Sequence, residues 1–292
     1  MTFSTAQLLL DMIRHGNSIE GIRGFKDQPM TDPLVLVNQI LYGAPTGTNP
    51  TISAEKDRHM AMLSSAKGQE KTVLLYNLGC FSLFLDDVRE ARQFFTQALA
   101  LEPSLIEARH NLAYAHELMA EPVEAIRLYE EVLAADPNFQ LSRMNLCLLE
   151  IQEGNREQGL AELRRMAVEF PENKGLVYHL GTALLTPPNK AQAEETLKLI
   201  ERLPGWQDYP EFARMRAAAL IFAERAPEAM ETLNNMIDQN PDDVFALAGL
   251  IRAKAQTGAF EGLAVLAQRM DELSPNHGAD GLLNVLEEKG IR

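Results

Sequence analysis

The sequence predicts an all-α protein built from repeated pairs of short antiparallel helices, and three observations lead there. Apolar residues recur at three- and four-residue spacing through most of the chain. Proline and glycine stand at regular intervals between those stretches, where they end one helix and start the next. A pattern of small and apolar residues also returns every 34 residues, as from Leu78-Gly79 to Leu112-Ala113 to Leu146-Cys147. A short amphipathic helix pair cannot bury its own stripe, so copies of it must stack.

Residues 1–70 precede the pattern and read as a helical N-terminal extension. Thr5 to His15 has helical spacing, and Thr31-Asp32-Pro33 is a helix start leading into Leu34, Val35, Val37, Ile40 and Leu41. A Gly/Pro/Thr linker follows at 43–52. Its GAPTGTNP lacks the Gly-Lys-Ser/Thr ending that a phosphate-cradling loop needs, so it is read as a plain linker. Ser53 to Ala66 is helical again, with Met60, Leu63 and Ala66 on one side, and is expected to cover the open end of the array.

The array occupies 71–292 in units 72–105, 106–139, 140–173, 174–209, 210–243 and 244–277. The second, Ile106 to Phe139, is the most regular. Leu112, Ala113, Ala115 and Leu118 mark its first helix, and Ala125, Leu128, Tyr129 and Val132 its second. Glu121-Pro122 reads as a cap followed by proline at the first helical position, and Asp136-Pro137 closes the unit. The first unit matches with Leu78-Gly79, Ala91, Phe95, Ala98 and Pro103; the third with Leu146-Cys147, Gly159, Leu163, Met166 and Pro171. The fourth is irregular, with Thr186-Pro187-Pro188-Asn189 between its helices and extra residues around Trp206 at its exit. The fifth carries Ala217, Ala229, Leu233, Met236 and Pro241; the sixth carries Leu250, Leu263, Met270 and Pro275. Residues 278–292 supply a capping helix, Leu282, Leu283 and Leu286 facing in and Glu287, Glu288 and Lys289 facing out.

Charge and cysteine content narrow the function. A formal net charge of -14 argues against nucleic acid or an anionic membrane surface as a partner, since both need a basic stripe. No stretch approaches the apolar length that spans a bilayer, and the first residues lack a basic leader region. Cys80 and Cys147 both fall in expected helices, which suits buried thiols in a reducing compartment; the expected location is the cytoplasm. No metal-ligand spacing, nucleophile–base arrangement or cofactor motif is present, so the chain is read as a non-enzyme without cofactors.

The period and the small-residue signature resemble the tetratricopeptide repeat family over about three quarters of the chain. The tryptophan often found before Leu-Gly in that family is replaced by Leu75, Arg109, Arg143, Val177, Ala213 and Leu247. The resemblance implies a right-handed superhelical solenoid whose first helices line a concave groove. It also implies close approach of backbones at Gly79, Ala113 and Gly181, and at Ala91, Ala125 and Ala193.

By the same resemblance the groove residues are Tyr76, Asn77, Cys80 and Phe84 in the first unit, and His110, Asn111 and Tyr114 in the second. Met144, Asn145 and Leu148 follow in the third, with Tyr178 and His179 in the fourth. Asn77, Asn111 and Asn145 share one slot. A side-chain amide both donates and accepts, so a row of them suits an extended peptide backbone, as in the asparagine ladder of O-linked N-acetylglucosamine transferase. The same amides could equally bond neighbouring helices, and both readings stand at this point. The carboxylate clamp of chaperone adaptors is not reproduced. Tyr76 and Cys80 stand at two of its slots, Leu141 and Asn145 at two others, and only Asn111 matches.

The expected function is therefore a scaffold or adaptor that binds a peptide segment of a partner protein in the groove. The alternative is a self-assembling protein, a homo-oligomer whose groove is filled by its own or a neighbouring N-terminal segment.

Overall fold

The computed structural model describes residues 50–273; the expectations for the N-terminal helices before residue 50 and for the capping helix at 278–292 lie outside them. The described residues hold thirteen α-helices and one 3-10 turn, and no strand. The chain divides into two compact units, 1–163 and 164–292.

The first unit begins with α1 (Pro50–Leu63) and continues as antiparallel pairs: α2 (Gly68–Phe84) with α3 (Val88–Leu101), α4 (Ile106–Leu118) with α5 (Pro122–Ala135), and α6 (Gln140–Gln152) with the start of α7 (Arg156–Glu169). In the second unit α8 (Lys174–Leu184) pairs with α9 (Lys190–Glu201), α10 (Pro210–Phe222) with α11 (Ala226–Gln239), and α12 (Val244–Thr257) with α13 (Leu263–Leu273).

Helix starts follow from their residues. Asp87 Oδ1 accepts from the Glu90 N–H at 3.0 Å, Asn173 Oδ1 from Leu176 at 3.0 Å, Asn189 Oδ1 from Gln192 at 2.9 Å, and Asp243 Oδ1 from Ala246 at 3.1 Å. Each satisfies one of the N–H groups a helix start leaves unpaired. Pro122 and Pro210 stand in the first turns of α5 and α10, where the missing N–H costs nothing. Glu121 departs from its expected role: its side chain makes no cap bond and instead lies 2.5 Å from His116 Nδ1.

The inter-helix turn has a feature that the residues do not advertise. Asp86, Ala120, Gly154, Glu224 and Gly258 each adopt a left-handed φ of 57° to 99°. The next N–H then reaches back to close the helix end, as from Asp87 to Ser82 O at 2.8 Å and from Glu121 to His116 O at 2.9 Å. Asn155 to Glu150 O and Arg225 to Leu220 O, both at 2.8 Å, repeat it, as does Ala259 to Lys254 O at 3.0 Å. This is the Schellman closure, and it explains why turns of so few residues can reverse the chain. The fourth pair replaces that slot with Pro188, whose ring locks φ negative, and its turn is built differently.

The core of each unit lies between its helices. In the first, Leu75, Leu78, Ala91, Phe95, Ala98, Ala113, Ala125, Leu128 and Tyr129 form one buried cluster. In the second, Ala193, Leu197, Ala217, Leu220, Ala229, Leu233 and Leu250 do the same. The small residues sit where a larger one would collide. A Cβ added at Gly79 would lie 2.5 Å from the Phe95 ring, and one at Gly159 would lie 2.6 Å from the Cys147 carbonyl oxygen.

Candidate protein-binding face

The first helices of the first unit are tied side by side by polar contacts. Asn111 Nδ2 donates to the Tyr76 hydroxyl at 3.2 Å and approaches Cys80 Sγ at 3.6 Å, joining α4 to α2. His110 Nδ1 lies 2.8 Å from the Ser142 hydroxyl, joining α4 to α6. Asn145 Nδ2 donates to the Tyr129 hydroxyl at 3.1 Å, and that hydroxyl donates to Glu117 Oε2 at 2.9 Å. Two of the three asparagines thus spend their donors on a buried phenol.

Four of the expected groove residues are interior, which corrects their placement. Tyr76, Asn77, Cys80 and His110 are each under a tenth exposed. The physical reason is specific to each. α1 covers Asn77: its His59 meets the Phe81 ring edge-on at 5.0 Å, with Nε2 3.4 Å from Asn77 Nδ2, and Asn77 Oδ1 is left buried without a partner. Tyr76 packs on Phe95 at 6.0 Å between ring centroids. His110 is held between the Tyr129 and Phe139 rings at 5.5 and 5.2 Å and is buried, while Tyr114 one helical turn on stays exposed. Burial pushes its imidazole down to about 3 and the Cys80 thiol up to about 12, which leaves both neutral and the thiol unreactive.

The remaining residues line an outer face. Tyr114 and Leu118 are exposed, one helical turn apart on α4; Phe84 on α2 and Met144, Asn145 and Leu148 on α6 are half-buried, as is Asn111. Glu117 stands at the rim of the polar network, its carboxyl raised above the usual range by burial despite the bond from Tyr129. Arg109 and Arg143 are spent within the unit: Arg109 bonds the Pro103 carbonyl at 2.6 Å and pairs with Glu131, and Arg143 pairs with Glu162 at 2.6 Å.

Tyr178 and His179 belong to the second unit. Tyr178 is exposed, its ring edge-on to His179 at 5.7 Å and to Phe212 at 6.3 Å, while His179 is half-buried and its imidazole is lowered by burial. The same unit holds residues that spacing did not single out. Trp206 in the 3-10 turn (Trp206–Asp208) lies under the Arg216 guanidinium at 5.5 Å, Arg214 lies over Phe245 at 5.8 Å, and Arg252 over Phe222 at 4.7 Å. These arginines stand 10, 31 and 30 residues from their rings, separations that leave no common period in one sequence.

Among the described residues no group of three His, Cys, Asp or Glu side chains is placed to hold a metal, and no helix is long and apolar enough to cross a membrane.

Helix pairs of this length, joined by Schellman turns and packed through small residues, define a helical-repeat protein. Residues 85–144 match the model of the tetratricopeptide repeat family, and the described residues share its helical-repeat architecture. It is 36% identical over 83 residues to the uncharacterized protein ycf37 of Cyanophora paradoxa, a match covering 28% of this chain and 48% of that one. The chain thus spans about half the length of that relative. Among solved structures, a tetratricopeptide repeat protein from Parabacteroides merdae has a TM-score of 0.56 at 16% identity, over 80% of this chain and 91% of that one. The structure of the APC/C hetero-tetramer Cut9-Hcn1 gives 0.58 at 16% identity, over 90% of this chain and 50% of that one. At such identities the likeness is one of fold.

Proposed function

We propose that the chain is a protein-interaction module whose first unit holds a segment of a partner protein against the outer face of α2, α4 and α6. Proteins of this fold generally mediate protein–protein contacts, and Cut9-Hcn1 is itself an assembly of chains. The observation that carries the reading is the exposure of Tyr114 and Leu118, two large apolar side chains a turn apart, beside half-buried Met144 and Leu148. An aromatic and aliphatic cluster of that kind is what anchors interfaces. The asparagine row contributes differently from a free ladder. With the Nδ2 groups of Asn111 and Asn145 committed to tyrosines, their carbonyl oxygens remain to accept a peptide N–H.

A photo-crosslinking amino acid at residue 114, compared with one at residue 123 on the exposed back of α5, tests this in cells that make the protein. A defined partner band from 114 and none from 123 is expected. Equal labelling at both, or none at 114, refutes it. If the crosslinked species is a second copy of the chain, the self-assembly reading replaces the adaptor, and light scattering on the purified chain settles its stoichiometry.

A further inference from the structure

We propose that the α10–α12 face of the second unit binds an acidic, extended segment of a partner protein, with Arg214 and Arg252 seating two carboxylates. This surface lies within the second unit and stands independently of the face described for the first.

Phe245, Ala248 and Arg252 fall on one side of α12 at three- and seven-residue spacing, so Phe245 and Arg252 are about 10 Å apart along the helix. All three are exposed. Ala248 between them is small and exposed. Each end carries a guanidinium laid against an aromatic ring: Arg214 over Phe245 at 5.8 Å and Arg252 over Phe222 at 4.7 Å. A ring this near attracts and steadies a guanidinium, and a guanidinium with N–H groups left over can grip a carboxylate with two bonds.

The electrostatic setting points the same way. Arg214 gives one edge to Asp243 Oδ2 at 2.8 Å, and the other oxygen of that carboxylate caps α12, so Asp243 cannot follow the arginine outward; the Arg214 side chain remains 51% exposed. Arg252 has no carboxylate partner among the described residues, although Asp and Glu outnumber Lys and Arg by 41 to 27 in the chain. An unpaired, ring-supported cation in so acidic a protein is a place for an acid from elsewhere. The overall charge also repels an acidic ligand, so any binding has to come from a local seat.

The probe is a fluorescein-labelled peptide with two glutamates separated by two prolines. In its polyproline helix these project to the same side about 9 Å apart. Binding to the full chain is read by fluorescence polarisation, beside a twin peptide with glutamine for glutamate. We expect saturable binding of the glutamate peptide that weakens with added salt, and at least about tenfold weaker binding of the twin. Arg252→Gln should lower affinity about tenfold and Arg252→Lys should restore part of it. Arg127→Gln, on α5 in the first unit, should change nothing. Absence of binding by the glutamate peptide, equal binding of the two peptides, or full binding by Arg252→Gln with unchanged helicity overturns the proposal.

Discussion

Gly79→Ala tests the packing of the first unit most directly, because the same chemical change has a known sign when space is available. Alanine is favoured over glycine in a helix interior by about 0.8–1 kcal/mol, so an uncrowded site gains stability. Gly79 is crowded. The added Cβ would lie 2.5, 2.7 and 2.8 Å from three carbons of the Phe95 ring, against an optimum of about 3.5–4.0 Å. Phe95 is fully buried and packed on Tyr76, so its ring must retreat by roughly 1 Å into occupied space. Overpacking of this kind costs about 1–3 kcal/mol. Taking the upper part of that range and subtracting the helix gain leaves about 2 kcal/mol of net loss, or roughly 4–8 °C in Tm for a chain of this size.

Gly175 is the control. It stands in the first turn of α8 with only Asn173 Oδ1 near the new Cβ, at an ordinary 3.5 Å, so Gly175→Ala should gain up to about 0.5 kcal/mol. Calorimetry and urea unfolding of the two variants should give opposite signs. A Gly79→Ala protein melting at or above the wild type would refute the packing argument. Both variants shifting the same way would show that propensity, and not contact, decides at these sites.

Three further outcomes follow from the turns and the buried groups. Ala120→Gly should stabilise by up to about 1 kcal/mol in urea unfolding, because Ala120 holds a left-handed φ of 57° that glycine adopts freely. Burial raises the Glu117 carboxyl, so the stability tied to its neutral form is present in acid and lost as pH rises through the folded value. Glu117→Gln, which keeps an acceptor for Tyr129, should therefore melt above wild type at pH about 7 and converge with it below about 4. His110 works in the other direction: its lowered value, about 3, means that its contribution is complete above about 6.5 and falls away below, by at most about 1.4 kcal/mol per pH unit. His110→Gln should thus be less stable at neutral pH, with the gap narrowing as pH drops from about 6.5 to 4.5 in thermal melts.

The helical-repeat architecture was legible because it rests on local, repeated constraints. Apolar spacing defines the faces, and small residues such as Ala91, Ala113, Ala125 and Ala193, all fully buried, mark where helices touch. The Schellman slot was hidden because only Gly154 and Gly258 of its five occupants are glycine, while Asp86, Ala120 and Glu224 bear the left-handed conformation on ordinary residues. Two glycines in equivalent slots were the available signal. The burial of Tyr76, Asn77, Cys80 and His110 was not legible, since the repeat register says which side of a helix a residue takes but not what another segment lays over it. His59, outside the repeat, is what encloses Asn77.

The asparagine row shows how far identity of slot falls short of identity of role. Asn77 faces His59 from below α1, Asn111 serves the Tyr76 hydroxyl, and Asn145 serves the hydroxyl of Tyr129. Each donor is satisfied by a partner from a different position of the chain, so the three sites are not copies of one device. Alanine at all three would free the Tyr76 hydroxyl, empty the space beside His59 and leave the Glu117–Tyr129 pair without its third member. A buried polar group deprived of its partner costs about 1–3 kcal/mol. Loss of partner capture by the triple variant would then report destabilised helices as readily as a lost peptide contact. The side chains that separate the two are Tyr114 and Leu118, which are exposed and make no hydrogen bond within the unit. Under the proposed function the apolar side chains Tyr114 and Leu118 are therefore the ones to meet a partner, while the asparagines act first as the mortar between helices of the first unit.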